Sequence, residues 1–204
     1  MTHIDFDEEK HIYSVDGEEK PSVTAILSYI TASHYGSINE AVLRQAALKG
    51  SDVHEACQLI DYGLEVEVDP QIAPYVRAYC DFLNDYKPQW EDIEQRHYCK
   101  GGDFCGTVDR MGYIDGKRVV LDLKTTASPT KENYVSYTSQ LFAYSLFYDD
   151  WAKMKRYILF LKKDGKYRLV DADEYERKHN YDGSWIFGLC LQLFKKLKEI
   201  KNGK

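Results

Sequence analysis

Asp109, Asp122 and Lys124 are spaced so that one reversal of the chain brings them onto a single patch. Between them lies Asp115-Gly116, a dipeptide that tolerates the positive φ needed at both central positions of a type I′ turn. With the turn there, Ile114 pairs with Lys117. Counting outward sets Asp109 directly opposite Asp122 as a non-hydrogen-bonded pair, whose Cα atoms approach to about 4.5 Å. Lys124 is two residues further on and points to the same face. Two opposed carboxylates repel, and the second lies in Val119-Val120-Leu121-Asp122-Leu123, a run apolar enough to be a central, buried strand. Burying an unpaired carboxylate costs several kcal/mol, so a cation must sit between the acids, and a divalent metal meets that need. Taken alone, the hairpin also fits exposed charges with Lys124 as an ordinary salt-bridge partner.

The elements around this hairpin supply further candidates. A helical pattern runs from Ser37 or Asn39 to about Tyr62, with Gly50 as the point where it would bend. Leu43, Ala47, Gly50, His54 and Cys57 recur on one stripe, which turns His54 inward. It is either a core histidine satisfied by a backbone carbonyl or a nitrogen ligand completing the acidic patch. Ile93 to Cys99 reads as a strand leading through Gly101-Gly102 to the hairpin, and Glu94 on it is either an exposed strand residue or an accessory acid near the metal. After Lys124, Ser128 caps a helix with Pro129 in its first position. That helix runs to about Tyr148 with Tyr134, Tyr137, Leu141, Tyr144 and Tyr148 on one stripe and Gln140 beside Tyr144.

The remaining segments read as scaffold. Residues 11–20 form a small hairpin about Asp16-Gly17, and Ser22 or Thr24 caps a short helix to about Ile30. Asp69 caps a helix that has Pro70 in its first turn and ends at Lys87-Pro88. A second hairpin about Asp164-Gly165 extends the sheet. The last helix, about Asp182 to Ile200, is amphipathic and turns Trp185, Leu189, Leu193 and Leu197 inward.

Composition bounds the reading. At 204 residues and 44% hydrophobic content the chain can bury one sizeable core, so residues 1–204 are expected to form a single domain, with 1–88 an N-terminal hairpin and helices and 89–204 the core. No apolar run spans a bilayer and no cleavable leader opens the chain, which predicts a cytoplasmic protein without a membrane partner. The five cysteines have neither CxxC nor zinc-type spacing and read as buried or incidental thiols. A formal net charge of -6 excludes a general basic coat for DNA but leaves room for a local basic groove.

Four motifs, in order, are Gly-Ser-Asp-Val-His at 50–54, Gly-Thr-Val-Asp at 106–109, Asp-Leu-Lys-Thr at 122–125 and Gln-Leu-Phe-Ala-Tyr at 140–144, preceded by Pro-Ser-Val-Thr at 21–24. With these the chain resembles the PD-(D/E)XK nuclease superfamily. Within it, the resemblance is to the RecB-like exonuclease branch, which includes mitochondrial genome maintenance exonuclease and many phage proteins.

The resemblance implies an α/β, restriction-endonuclease-like core, a central mixed β-sheet flanked by helices in αβββαβ order, with an N-terminal helical region. It makes His54, Asp109 and Asp122 metal ligands, joined by the Leu123 backbone carbonyl, with Asp109, Asp122 and Lys124 as the catalytic set. Lys124 would orient or activate the attacking water, Gln140 and Tyr144 would support the site and contact DNA, and Glu94 resembles the acid preceding the first catalytic aspartate. One or two Mg²⁺ or Mn²⁺ ions are implied. An iron-sulfur cluster is not, because the C-terminal end carries only Cys190.

The expected activity is metal-dependent exonucleolytic hydrolysis of DNA from its ends, on single strands, in recombination, repair or replication. Any recombinase, helicase or single-strand-binding partner would be a separate chain. The competing expectations are an endonuclease of the same fold, of restriction or CRISPR-adaptation type, and a non-catalytic DNA-binding subunit.

Overall fold

The computed structural model describes residues 3–8, 10–35, 39–126, 128–201 and 203, so Ser37 as a helix start lies outside the described residues. Alternating apolar positions at the beginning build a three-stranded antiparallel sheet, β1 (Ile4–Asp7), β2 (Ile12–Val15) and β3 (Glu18–Lys20). Its β2–β3 turn is the expected Asp16-Gly17. Ser22 Oγ then accepts from Ala25 N at 3.0 Å and starts α1 (Val23–Tyr35). Asn39 caps α2 (Glu40–Asp61) in the same way, accepting from Ala41 N at 2.8 Å.

α3 (Ala73–Tyr86) begins later than the spacing predicts, and its first-turn proline is Pro74 rather than Pro70. The Asp69 carbonyl instead accepts from Ile72 and Ala73 in a preceding turn. The helix stops where Lys87 turns left-handed, φ 46°, ahead of Pro88.

The main sheet contains β4 (Gln89–Cys99), β5 (Phe104–Ile114), β6 (Lys117–Lys124), β7 (Lys155–Leu161) and β8 (Tyr167–Asp171), side by side in that order. Only β6 and β7 run parallel, joined by the crossover helix α4 (Lys131–Ser145). The architecture is therefore mixed α/β, a central mixed sheet flanked by helices in the expected αβββαβ order. Both faces are covered, which explains the nearly unbroken apolar run of β6. Val119, Leu121 and Leu123 join the core formed with Val53, Cys57, Tyr79 and Phe82 of α2 and α3. Val120 joins the opposite core, with Ile26 of α1 and Leu141 of α4.

Two further helix assignments differ from the sequence expectation. α4 is capped by Thr130, not Ser128, and Pro129 precedes the helix. Thr130 Oγ1 accepts from Asn133 N while Asn133 Oδ1 accepts from Thr130 N, and this reciprocal box satisfies two free donors. α5 (Ala172–His179), capped by Asp171, precedes α6 (Gly183–Lys201), whose orientation is the second difference. Trp185, Leu189 and Leu193 are exposed by 66%, 45% and 46%, Leu197 is half-buried, and the inward residues are Phe187 and Cys190. The helix carries two apolar stripes, and Gly183 selects between them. A Cβ there would meet Glu176 Oε1 at 2.3 Å and Ser139 N at 3.1 Å, so the backbone docks tightly and carries the Phe187 stripe inward.

Candidate functional site

The β5–β6 turn is left-handed at both central residues, Asp115 (φ 50°) and Gly116 (φ 70°), as a type I′ turn requires. The register follows from it, with Ile114 opposite Lys117 and successive pairs out to Arg110 opposite Leu121. Regular pairing ends there, one step short of Asp109 and Asp122. The Leu123 N–H, which a continued ladder would direct to β5 backbone, donates instead to Asp109 Oδ2 at 2.7 Å. One acid of the expected pair thus takes over a main-chain role and holds the end of β6 in place.

His54 of α2 meets this end of the sheet. Its Nε2 lies 3.2 Å from the Leu123 carbonyl, and its Nδ1 is 3.2 Å from Glu94 Oε1 and 3.6 Å from Asp109 Oδ2. Every partner is an acceptor, so these contacts favour an imidazolium with both ring nitrogens donating. Burial disfavours that charge, yet Asp109 and Glu94 outweigh it and raise the His54 pKa to about 9. Burial also pushes the Asp109 carboxyl well up, His54 opposing and the Asp122 and Glu94 charges adding to the rise. His54, Glu94 and Asp109 each offer a ligand-type atom within 4.8 Å of the others.

Glu94 reaches this group from the middle of β4 because its backbone is left-handed, φ 49°. Such a φ is uncommon for a non-glycine residue and interrupts the β4–β5 pairing between Ile93–Arg110 and Gln95–Val108. Burial would raise its pKa, but His54 and Arg110 overcome this and lower it.

Arg110, fully buried, is the residue that sequence reasoning missed. Its Nη1 donates to Glu94 Oε1 at 3.1 Å and to the Asp109 carbonyl at 2.6 Å, and its Nε donates to Asp61 Oδ2 at 2.5 Å. Tyr79 OH donates to the same Asp61 carboxylate. A signal was present: an arginine inside a buried, mostly apolar strand must find acids.

Lys124 heads a second chain of contacts. Its Nζ is 2.7 Å from Asp122 Oδ2, donates to Gln140 Oε1 at 3.3 Å and lies 4.9 Å from the centre of the Tyr137 ring. Gln140 Nε2 in turn donates to Tyr144 OH at 2.7 Å. Tyr144 can approach β5 because residue 106 is glycine, where a Cβ would lie 2.9 Å from the ring. Asp122 is fully buried, and among the described residues neither of its oxygens accepts an aligned hydrogen bond despite the close lysine.

The structure thus brings the predicted residues together in two linked groups. His54, Glu94, Asp109 and the Leu123 carbonyl form one, and Asp122, Lys124, Gln140 and Tyr144 form the other. An open cleft of about 650 Å³ is lined by His54, Glu94, Asp109 and Tyr144, together with Phe6, His11, Tyr13, Arg96 and Thr107. The donor set suits a divalent cation: one imidazole, two carboxylates that converge with it, and the Leu123 carbonyl beside the ring. Glu94 belongs to the converging set more closely than its sequence position suggests.

No family model and no curated protein matches this sequence. Among solved structures, the chain is similar to an alkaline exonuclease from Laribacter hongkongensis, at 12% identity over 90% of this chain and 93% of that one, with a TM-score of 0.39. It is also similar to SSO0001, at 15% identity over 74% of this chain and 80% of that one, with a TM-score of 0.28.

Proposed function

We propose that this chain is a divalent-metal-dependent nuclease that hydrolyses DNA phosphodiester bonds, working from the ends of single strands. The observation that carries this reading is the convergence of His54, Glu94 and Asp109 on one point of an open cleft, with the fully buried Asp122 paired to Lys124 at the end of the same strand. Those four residues and the Leu123 carbonyl would hold the ion. A bound Mg²⁺ or Mn²⁺ would polarise the scissile phosphate and lower the pKa of the attacking water. A histidine in the set favours Mn²⁺ as a substitute, since imidazole suits borderline metals.

The chain's own groups divide the remaining work. His54 gives up a proton to become a ligand. Lys124, steadied by Asp122 and Gln140, carries a fixed positive charge to where the transition state grows more anionic. Arg110 keeps Glu94 ionised and in place. Action from DNA ends rests on the motif resemblance to the exonuclease branch.

End-labelled linear single strands, duplexes and covalently closed circles, each incubated with Mn²⁺, Mg²⁺ or EDTA, test the proposal. Linear strands should shorten only with metal, circles should stay intact, and Asp109→Ala should be inert. Binding without cleavage that persists in Asp109→Ala would replace the enzyme with a binding module, and cutting of closed circles would make it an endonuclease.

A further inference from the structure

We propose that the N-terminal hairpin is a base-stacking wall of the same cleft: Phe6, His11 and Arg96 grip unpaired bases beside the scissile phosphate, and this grip directs the site to single strands. The inference rests on the nuclease reading above and adds residues to which the sequence assigned no chemistry.

The hairpin is firmly seated next to the metal-ligand candidates. Tyr13 OH and Thr107 Oγ1 are hydrogen-bonded at 2.7 Å, and Thr107 lies one strand repeat, about 7 Å, from Asp109. Lys20 Nζ is 2.8 Å from Asp103 Oδ1, and Cys105 N donates to the Pro21 carbonyl at 2.8 Å. Tyr13, Val15 and Cys105 form a small core beneath the hairpin. Anything presented above that core is therefore held at a fixed distance from the acids.

What is presented is flat and aromatic. Phe6 is half-buried and packs on Tyr13, ring centres 4.4 Å apart, while the exposed His11 ring stands edge-on to Phe6 at 5.0 Å. His11 is left-handed, φ 55°, a conformation that few residues other than glycine adopt. The Arg96 guanidinium lies 4.9 Å from the centre of the Phe6 ring. Its ion pair with Glu8, 3.1 Å, is solvent-exposed on both sides and contributes little, so a phosphate can displace Glu8 as the guanidinium's partner. Phe6, Glu8, His11, Tyr13 and Arg96 all line the cleft that contains His54, Glu94 and Asp109.

Aromatic rings and a guanidinium plane stack on any base and read no sequence. In a duplex the base faces are occupied by their neighbours, whereas an unpaired end offers them freely. A wall of this kind therefore selects strand state and not sequence.

The test compares a thymidine oligonucleotide with the same backbone carrying abasic residues near the end. Purified full-length wild type, His11→Ala and His11→Phe are assayed by Mn²⁺-dependent cleavage and by fluorescence anisotropy of the labelled strands. His11 is exposed but stands at φ 55° with its ring edge-on to Phe6 and Tyr13, so thermal unfolding of each variant checks that the hairpin core is kept. Wild type should favour the base-bearing strand about tenfold, His11→Ala should lose most of that ratio, and His11→Phe should restore it. An unchanged ratio in His11→Ala would overturn the wall while leaving cleavage, and so the nuclease reading, standing. Absence of cleavage in every sample would sink the nuclease reading instead, and the anisotropy ratios would then decide the wall by themselves.

Discussion

Glu94 Oε1 lies 3.1 Å from Nη1 of the fully buried Arg110, so the acid that accepts from His54 is itself held by a charge without access to water. The pair links the cleft to the interior. Beyond it, Asp61 and Tyr79 complete a buried chain of contacts that fixes Glu94 in its left-handed strand position. Such a chain stabilises the fold only while every member is present.

Replacing Arg110 with methionine strands two acids. Arg110→Met should lower the unfolding free energy by about 3–5 kcal/mol, the cost of leaving a buried charge unpaired. Urea denaturation measures it. A loss below about 1 kcal/mol would mean that Asp61 and Glu94 reach water without the arginine.

Glu94→Gln keeps the shape and an acceptor for Arg110 but removes a charge facing His54. Mn²⁺ affinity by calorimetry should fall by at least about tenfold with the fold intact. Wild-type affinity in this variant would reduce Glu94 to a strand residue.

These contacts mark where the site could and could not be read from the chain. The pairing from Ile114–Lys117 to Arg110–Leu121 follows from one turn, because two consecutive positive φ values at Asp115-Gly116 leave a single register, but the expected Asp109–Asp122 pair lies one step beyond the regular ladder. Glu94 was harder to place: its strand break carries no glycine, and its partner His54 is 40 residues away. Arg110 depends on the end of α2 (Asp61) and the middle of α3 (Tyr79) meeting β5, which no local pattern encodes. In α6 both apolar stripes fit helical spacing, and only the close docking of Gly183 chooses between them.

Lys124 contacts Asp122 at 2.7 Å but none of His54, Glu94 and Asp109, which converge without it. Lys124→Ala should cut the cleavage rate by about 10²–10³-fold, the scale of a lost charge-stabilising donor, with Mn²⁺ affinity changed only slightly. Single-turnover cleavage and calorimetry on the same preparation separate the two effects. Near-normal rates would remove the lysine from the mechanism.

Gly106 sets how closely Tyr144 approaches β5. A Cβ there would lie 2.9 Å from Tyr144 Cε1 and 3.2 Å from Phe147 Cζ, so Gly106→Ala should destabilise by about 1–3 kcal/mol and loosen the Gln140–Tyr144 hydrogen bond. Thermal unfolding checks the first effect. A Tyr144→Phe change, which removes only the hydroxyl, should lower the cleavage rate and cost about 1–2 kcal/mol, since it leaves the Gln140 amide without its buried acceptor.

The hairpin anchor should show in acid. The hydrogen bond from Lys20 holds the Asp103 carboxyl below its ordinary value, so this pair stabilises the fold above the unfolded pKa of about 3.9 and the contribution is lost as pH falls through the depressed folded value. Asp103 is half-exposed, which limits the effect to about 1 kcal/mol. The stability gap between wild type and Asp103→Asn should be constant near neutrality and close below about pH 4. A gap that persists undiminished in acid would assign the effect to packing.

The central claim is that His54, Glu94 and Asp109 close on a divalent ion, and X-ray diffraction from crystals grown with Mn²⁺, recorded at the manganese edge, tests it most directly. The account predicts an anomalous peak within coordination distance of His54, Asp109 and Glu94, on the side of the Leu123 carbonyl. Saturating Mn²⁺ with no peak there, and the His54–Glu94 contact still closed, would contradict it.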